Sequence, residues 1–192
     1  MKALLKLTLT LTIISFAAGL LLAYTHKVTA PSIAAAVRQE TIAALASVLP
    51  PFDNDPAATT LSISKSGRPW VFHVARKNGA FVGSAFETSS KNGYGGDIRI
   101  MVGITADGHL KSIHFLAQHE TPGLGTKIDG APFKLQFAGK PVAGPVWNIK
   151  KDQGHFDAIT GATISSRAVL EAIRNGIDAY TAHASEIART GE

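Results

Sequence analysis

Two stretches decide the fold: Trp70–Phe86, WVFHVARKNGAFVGSAF, and Ile98–Ala117, IRIMVGITADGHLKSIHFLA. In the first, Trp70–Ala75 and Ala80–Phe86 are short apolar runs on either side of Lys77-Asn78-Gly79. Asn-Gly readily takes positive φ, so the unit reads as a hairpin. In the second, Ile98–Thr105 and Leu110–Ala117 flank Ala106-Asp107-Gly108, a second hairpin. Consecutive hairpins give an antiparallel sheet, not a doubly wound parallel one.

Around this sheet the pattern places helices. Residues 32–49 (SIAAAVRQETIAALASVL) read as a helix with Ile33, Val37, Ile42, Leu45 and Val48 near one stripe. Pro50-Pro51 stops it, and the polar stretch FDNDPAATT serves as connector. Ala131–Phe137 suggests a short helix and Pro145–Ile149 a further strand. From Thr163 to about His183 the chain reads as helical, with Val169, Ile173, Ile177 and Tyr180 recurring on one face. There is no internal repeat or low-complexity tract. The expected class is α+β: an N-terminal transmembrane helix followed by one antiparallel-sheet domain with flanking helices.

The anchor is read from residues 7–24, LTLTLTIISFAAGLLLAY, which are 18 residues without a charge. At about 1.5 Å per residue they reach roughly 27 Å, close to the hydrocarbon thickness of a bilayer. Lys6 can snorkel at one end, and Tyr24, His26 and Lys27 suit the opposite interface. A cleaved signal peptide is the rival reading. Its apolar region is normally shorter, and the small-residue site Val28-Thr29-Ala30 precedes Pro31, a poor setting for cleavage. Lys2, Lys6 and the terminal amine on one side point to a cytoplasmic N-terminus and an exported body.

Composition closes off several classes. The 192 residues carry 19 Lys and Arg against 14 Asp and Glu, a formal charge of +5, and no cysteine. Without thiols there is no disulfide scaffold, thiolate metal site, cysteine-ligated iron–sulfur cluster or cysteine nucleophile. The cations are scattered, with Lys150-Lys151 the longest run, so a nucleic-acid interface is not expected. The seven histidines form no tight ligand set, and no metal site is expected. Glu120 has no second carboxylate or nucleophile as a partner in sequence, so no catalytic residue is assigned.

The chemistry concentrates in Asp157-Ala158-Ile159-Thr160-Gly161-Ala162-Thr163, which opens the last helix. Gly161 and Ala162 are small enough for another molecule to approach the backbone. Thr163 falls where free N–H groups and the helix dipole favour an anion, and Ser165, Ser166 and Arg167 add donors and a cation. The alternative reading is an ordinary helix start, with Thr160 or Thr163 capping orphan amides.

The Asp-x-x-Thr-Gly-Ala-Thr string resembles the flavinylation motif of the FMN-binding domain family shared by the G subunit of the Rnf electron-transport complex and the C subunit of the sodium-pumping NADH:quinone oxidoreductase. A second block is similar too: Gly93-Tyr94-Gly95-Gly96, a hairpin, then His119-Glu120-Thr121-Pro122-Gly123-Leu124-Gly125. So are Lys150–Phe156 and Ile164–Val169, and the likeness extends from about Trp70 to Ala182. The short chain and the placed anchor resemble the Rnf member more closely. Thr160 stands where serine is common, and Gln153 where glycine is expected.

The resemblance implies that Thr163 carries FMN through a phosphoester bond made by a separate flavin transferase. Asp157, Thr160, Gly161 and Ala162 would be the sequence that the transferase reads. It implies that Glu120, Thr121, Gly123, Leu124 and Gly125 lie at the flavin ring. Ser165, Ser166 and Lys150 would meet the remaining phosphate charge. Gly93–Gly96 fits equally a site loop or a plain hairpin end. The organisation implied is an anchor over 1–26, a helix and connector over 27–56, and a periplasmic FMN-binding domain over 57–192. Function follows as a covalently flavinylated electron-carrier subunit of an ion-translocating oxidoreductase of the inner membrane, working with other membrane subunits and without catalysis of its own. A stand-alone anchored flavoprotein feeding a reductase or regulator, or a non-redox anchored binding module, are the alternatives.

Overall fold

The computed structural model describes residues 1–65 and 67–191. It contains helix α1 (Lys2–Val48), strands β1 (Thr60–Lys65), β2 (Arg68–Lys77), β3 (Ala80–Gly93), β4 (Gly96–Thr105) and β5 (His109–Ala117), the short helix α2 (Ala131–Leu135), a two-residue strand β6 (Lys140–Pro141) and helix α3 (Thr163–Arg189). The chain divides into two compact units, Met1–Thr41 and Ile42–Glu192.

The first unit is helical. α1 is long and apolar enough to cross a membrane, and its apolar span is exposed to the surroundings. The helix expected at 32–49 is not separate: α1 runs unbroken through Pro31. A proline inside a helix removes one backbone donor and crowds the preceding turn, which disfavours helix without forbidding it. The expected stripe is corrected as well. Ile33, Val37 and Ile42 are exposed, and only the last turn is buried, through Ala44, Leu45 and Val48.

The second unit is a six-stranded sheet in the order β1-β2-β3-β4-β5-β6, with every neighbouring pair antiparallel. Both expected hairpins are present, with Asn78 at φ 52° and Gly79 at φ 78° supplying the left-handed turn between β2 and β3. Period-two alternation along β4 divides its side chains between the two faces. Ile98, Ile100, Val102 and Ile104 join Phe72, Val74 and Phe86 in the core beneath α3, where Val169, Ile173, Ile177 and Tyr180 enter from the helix. Met101, Ala75 and Ala85 pack on the other face against Ala44, Leu45, Val48 and Leu49.

Two glycines set how closely these layers approach. A Cβ at Gly176 on α3 would lie 2.0 Å from Phe86 Cε2, and one at Gly103 on β4 would lie 2.0 Å from the Val48 carbonyl oxygen. Polar links hold α3 in register along β3. The Thr88 hydroxyl donates to the Ala172 carbonyl (2.9 Å), the Ser90 hydroxyl to Glu171 (2.7 Å), and the Asn92 amide to Glu171 (2.8 Å). At the far end the buried Arg76 guanidinium donates to the carbonyls of Gly79, Ala188 and Thr190. α3 thus extends past His183 to Arg189, with Ile187 buried.

The strand expected at Pro145–Ile149 is not formed. Trp147 and Ile149 are buried and Val146 is exposed, so the segment has a strand's alternation. Among the described residues it finds no strand to pair with beyond one bridge between Ile149 and Phe156. Trp147 stacks on Phe156 instead, at 4.8 Å and 19° between planes. β1 corresponds to no expected element. Its Leu61 and Ile63 pack on the core, and their alternation with Thr60, Ser62 and Ser64 is the signal for it.

Gly176→Ala is expected to lower stability by about 1–3 kcal/mol, as overpacked cores do, read as a lower urea midpoint of the detergent-solubilised chain. His73, held below its ordinary value chiefly by burial, favours the neutral form in the folded state. The unfolded chain therefore binds more protons, and stability declines as pH falls below about 6.5 toward the lowered folded value. Urea titrations across that range should show a smaller decline in His73→Gln.

Candidate functional site

The sheet presents its β3–β4 turn and the loop after β5 beside the first turn of α3. Between them lies a cleft of about 440 Å³ lined by Tyr94, Glu120, Thr121, Leu124, Gly125, Gly161, Ala162, Thr163, Ile164 and Ser165. Loops brought together at one end of a rigid sheet are where binding residues are commonly held.

Glu120 joins the two sides. The residue is only 4% exposed. Its carboxyl accepts from the Ser165 hydroxyl at 2.7 Å and from the Gly95 N–H at 3.2 Å. Gly125 is tied to the same group, since a Cβ there would lie 2.6 Å from Glu120 Oε2 and 3.1 Å from Ser165 Oγ. The turn at Gly93–Gly96 is both a hairpin end, with Gly93 opposite Gly96, and one wall of the cleft through Tyr94.

The start of α3 is unusual in its capping. Ala162 occupies the N-cap position, and no side chain caps the helix. Neither Thr160 nor Thr163 performs that role. Ser166, fully buried, donates to the Ala162 carbonyl (2.9 Å) and accepts from the Ile159 N–H (3.0 Å). These bonds fix the approach of the chain, and with alanine at the N-cap the first-turn amides have no side-chain acceptor. Gly161, at φ 81°, makes the left-handed turn into the helix. Among the described residues the Thr163 hydroxyl, half-buried at the cleft, takes no protein hydrogen bond.

The remaining sequence-derived candidates lie outside the cleft lining. Asp157 and Lys150 form an exposed ion pair at 2.8 Å. Thr160 and Gly123 are exposed, with the Gly123 N–H donating to the Thr126 hydroxyl. Arg167 makes a two-pronged contact with Asp152 at 2.6 and 2.8 Å. That hydrogen-bonded guanidinium holds the Asp152 carboxyl below its ordinary range, and the carboxylate raises Arg167 in turn. Gln153 sits at φ 59°, a conformation glycine takes freely, so the turn survives the departure from glycine.

Three contributors are not among the site residues expected from the sequence. Tyr94 and Ile164 present exposed apolar surface to the cleft. Gln136 in the turn after α2 clamps the Asp157 backbone from both sides, accepting from its N–H (2.8 Å) and donating to its carbonyl (3.3 Å). Tyr94 stands inside the Gly93–Gly96 block, so a signal exists for it. Gln136 lies 21 positions from Asp157 and carries none.

Comparison with known proteins points the same way. Residues 93–178 match the FMN-binding domain family, a span that runs from the β3–β4 turn well into α3 and contains every cleft-lining residue. The G subunit of the ion-translocating oxidoreductase complex of Cereibacter sphaeroides is 38% identical over 188 residues, covering 93% of this chain and 85% of that protein. Its counterpart in Aliivibrio fischeri is 33% identical, with 95% and 92% covered. Among solved structures, the fold is similar to the C subunit of Na⁺-translocating NADH-quinone reductase from Parabacteroides distasonis, with a TM-score of 0.51, 21% identity and 65% of each chain covered. It is similar also to Shewanella oneidensis NqrC, with a TM-score of 0.52, 18% identity and 67% and 69% covered.

Removing the carboxylate in Glu120→Ala strips two donors of their acceptor at a buried position and is expected to cost about 1–3 kcal/mol. Glu120→Gln keeps one acceptor oxygen and should lie between wild type and alanine in urea unfolding.

Proposed function

The chain belongs to the family of the G subunits of ion-translocating oxidoreductase complexes, and from that membership we propose that it is a membrane-anchored electron-carrier subunit whose FMN is joined through its phosphate to the Thr163 hydroxyl. The observation that carries this reading is the Thr163 hydroxyl itself, unpartnered among the described residues at an uncapped helix start and facing a cleft.

The residues present suit the group. A phosphodiester on Thr163 carries negative charge, and the N–H groups of the first turn of α3 are donors directed along a favourable dipole. The cleft volume lies in the range of small-molecule sites, and its apolar lining suits a planar aromatic ring. FMN supplies one- and two-electron chemistry when bound, and the protein's part is to hold it and set its surroundings. Thr163 provides the ester oxygen. Backbone groups of Thr121–Gly125 flank the ring, and the Glu120–Ser165 contact keeps this loop against the helix that bears the ester. Ser165 and Ser166 act through the scaffold, each hydroxyl being already bonded within the chain.

Asp157 and Thr160, exposed on the outer side of the same segment, remain accessible to a flavin transferase while Thr163 faces inward. Lys150 holds Asp157 in place from outside the cleft. The chain is single-pass, with Lys2 and Lys6 on the cytoplasmic side and the sheet domain in the periplasm. Other membrane subunits of the complex are its partners. One helix with an uncharged span gives no ion path, so the protein carries electrons and leaves ion movement to its neighbours.

Expression with and without a flavin transferase, followed by a denaturing gel viewed under ultraviolet light, tests the ester. A fluorescent band is expected only with the transferase, and Thr163→Ala is expected to lose it. A dark wild-type band of unshifted mass despite active transferase contradicts the covalent link, and fluorescence retained in Thr163→Ala moves it to another residue.

A further inference from the structure

Outside α1, the described residues expose six large apolar side chains: Val71, Tyr94, Leu124, Leu135, Val146 and Ile164. Three of the six, Tyr94, Leu124 and Ile164, line the single cleft that also holds Thr163. Tyr94 is the most exposed of them, at 71%. It packs against no other aromatic ring, and its hydroxyl has no protein partner among the described residues. Yet the backbone that carries it is firmly placed. The Gly95 N–H donates to Glu120, and a Cβ at Gly95 would lie 1.8 Å from the His119 carbonyl oxygen, so the tip is seated directly on the loop below. A fixed backbone presenting an unpacked aromatic side chain into a cleft is the arrangement of a ring waiting for a planar ligand.

We propose that Tyr94 is the stacking residue of the cleft, its phenol ring covering the isoalloxazine while Leu124 and Ile164 supply apolar contact. This rests on the proposed FMN ester at Thr163. Covering the ring excludes water from it and selects a flat, extended aromatic over a compact ligand. It also explains the glycines around Tyr94: the turn must lie flat on His119 and Glu120 for the tip side chain to reach the cleft.

Composition makes the test unusually clean. A tyrosine or tryptophan stacked on a flavin quenches its fluorescence by donating an electron to the excited ring, and phenylalanine and alanine do not. The chain has two Trp and three Tyr. Trp70, Trp147 and Tyr180 are buried in the core and none lines the cleft. Tyr24 lies in the apolar span of α1, within the other compact unit. Tyr94 is therefore the quencher that the cleft itself supplies.

The full-length flavinylated chain in detergent is compared with Tyr94→Ala, Tyr94→Phe and Tyr94→Trp, each brought to known flavin content by absorbance after denaturation. Wild type and Tyr94→Trp are expected to be weakly fluorescent when native and to brighten several-fold on unfolding in urea. Tyr94→Ala and Tyr94→Phe are expected to be bright already when native, with the attached mass unchanged. Equal native fluorescence per flavin in wild type and Tyr94→Ala overturns the stacking role and leaves the ester standing. A chain that takes up no flavin overturns the proposed function and this inference together.

Discussion

Glu120 sits almost wholly buried between the β3–β4 turn and the first turn of α3, with the Gly95 N–H on one side and the Ser165 hydroxyl on the other. A carboxylate withdrawn from water is stable there only while donors surround it, so the segments that supply those donors are held to the loop that bears it. Gly95 carries Tyr94 beside it. Ser165 lies two residues past Thr163. The 120–125 loop follows from Glu120 itself. The cleft is the space left when these three are drawn onto one buried side chain, and Gly125 must lack a side chain for them to close up.

The rest of the domain fixes the direction from which α3 arrives. Its apolar stripe seats on the face of the sheet that carries Phe72, Phe86, Ile100 and Val102, each such side chain worth about 1.5–3 kcal/mol of burial. Thr88, Ser90 and Asn92 then set its position along β3 through bonds to Ala172 and Glu171. Ser166 ties the chain leading in to the helix, accepting from the Ile159 N–H and donating to the Ala162 carbonyl, and the N-cap position is taken by Ala162, whose side chain offers no acceptor to the first-turn amides. Fold and site meet in this turn: Ser166 fixes the approach to α3, and Ala162 at its start leaves the first-turn amides without a side-chain acceptor.

Much of this is legible in sequence, for identifiable reasons. Asn78-Gly79 and Ala106-Asp107-Gly108 announce hairpins because the turn geometry is local, and the stripe on α3 announces a buried face because a helix repeats its environment every few residues. Pairing is not local, and there sequence pattern fails. Pro145–Ile149 alternates like a strand yet has no ladder partner, while β1 alternates just as plainly and has one. Helix α1 passes through Pro31, since one lost hydrogen bond does not end a helix supported on both sides of it. In the site, the contiguous segments 120–125 and 157–163 stand out as strings. Gln136, whose amide grips Asp157 across 21 positions, belongs to no string and emerges only from the fold.

Chemistry at Thr163 is tested most directly by locating the flavin along the chain. Cleavage after Lys151 and Arg167 releases the segment Asp152–Arg167, which holds four hydroxyl side chains: Thr160, Thr163, Ser165 and Ser166. Fragmentation of this peptide in a mass spectrometer, from protein matured with a flavin transferase, separates them. A phosphoester at the uncapped helix start predicts the mass of FMN less one water on Thr163 alone. An unmodified peptide, or the added mass on Thr160, Ser165 or Ser166, would contradict it.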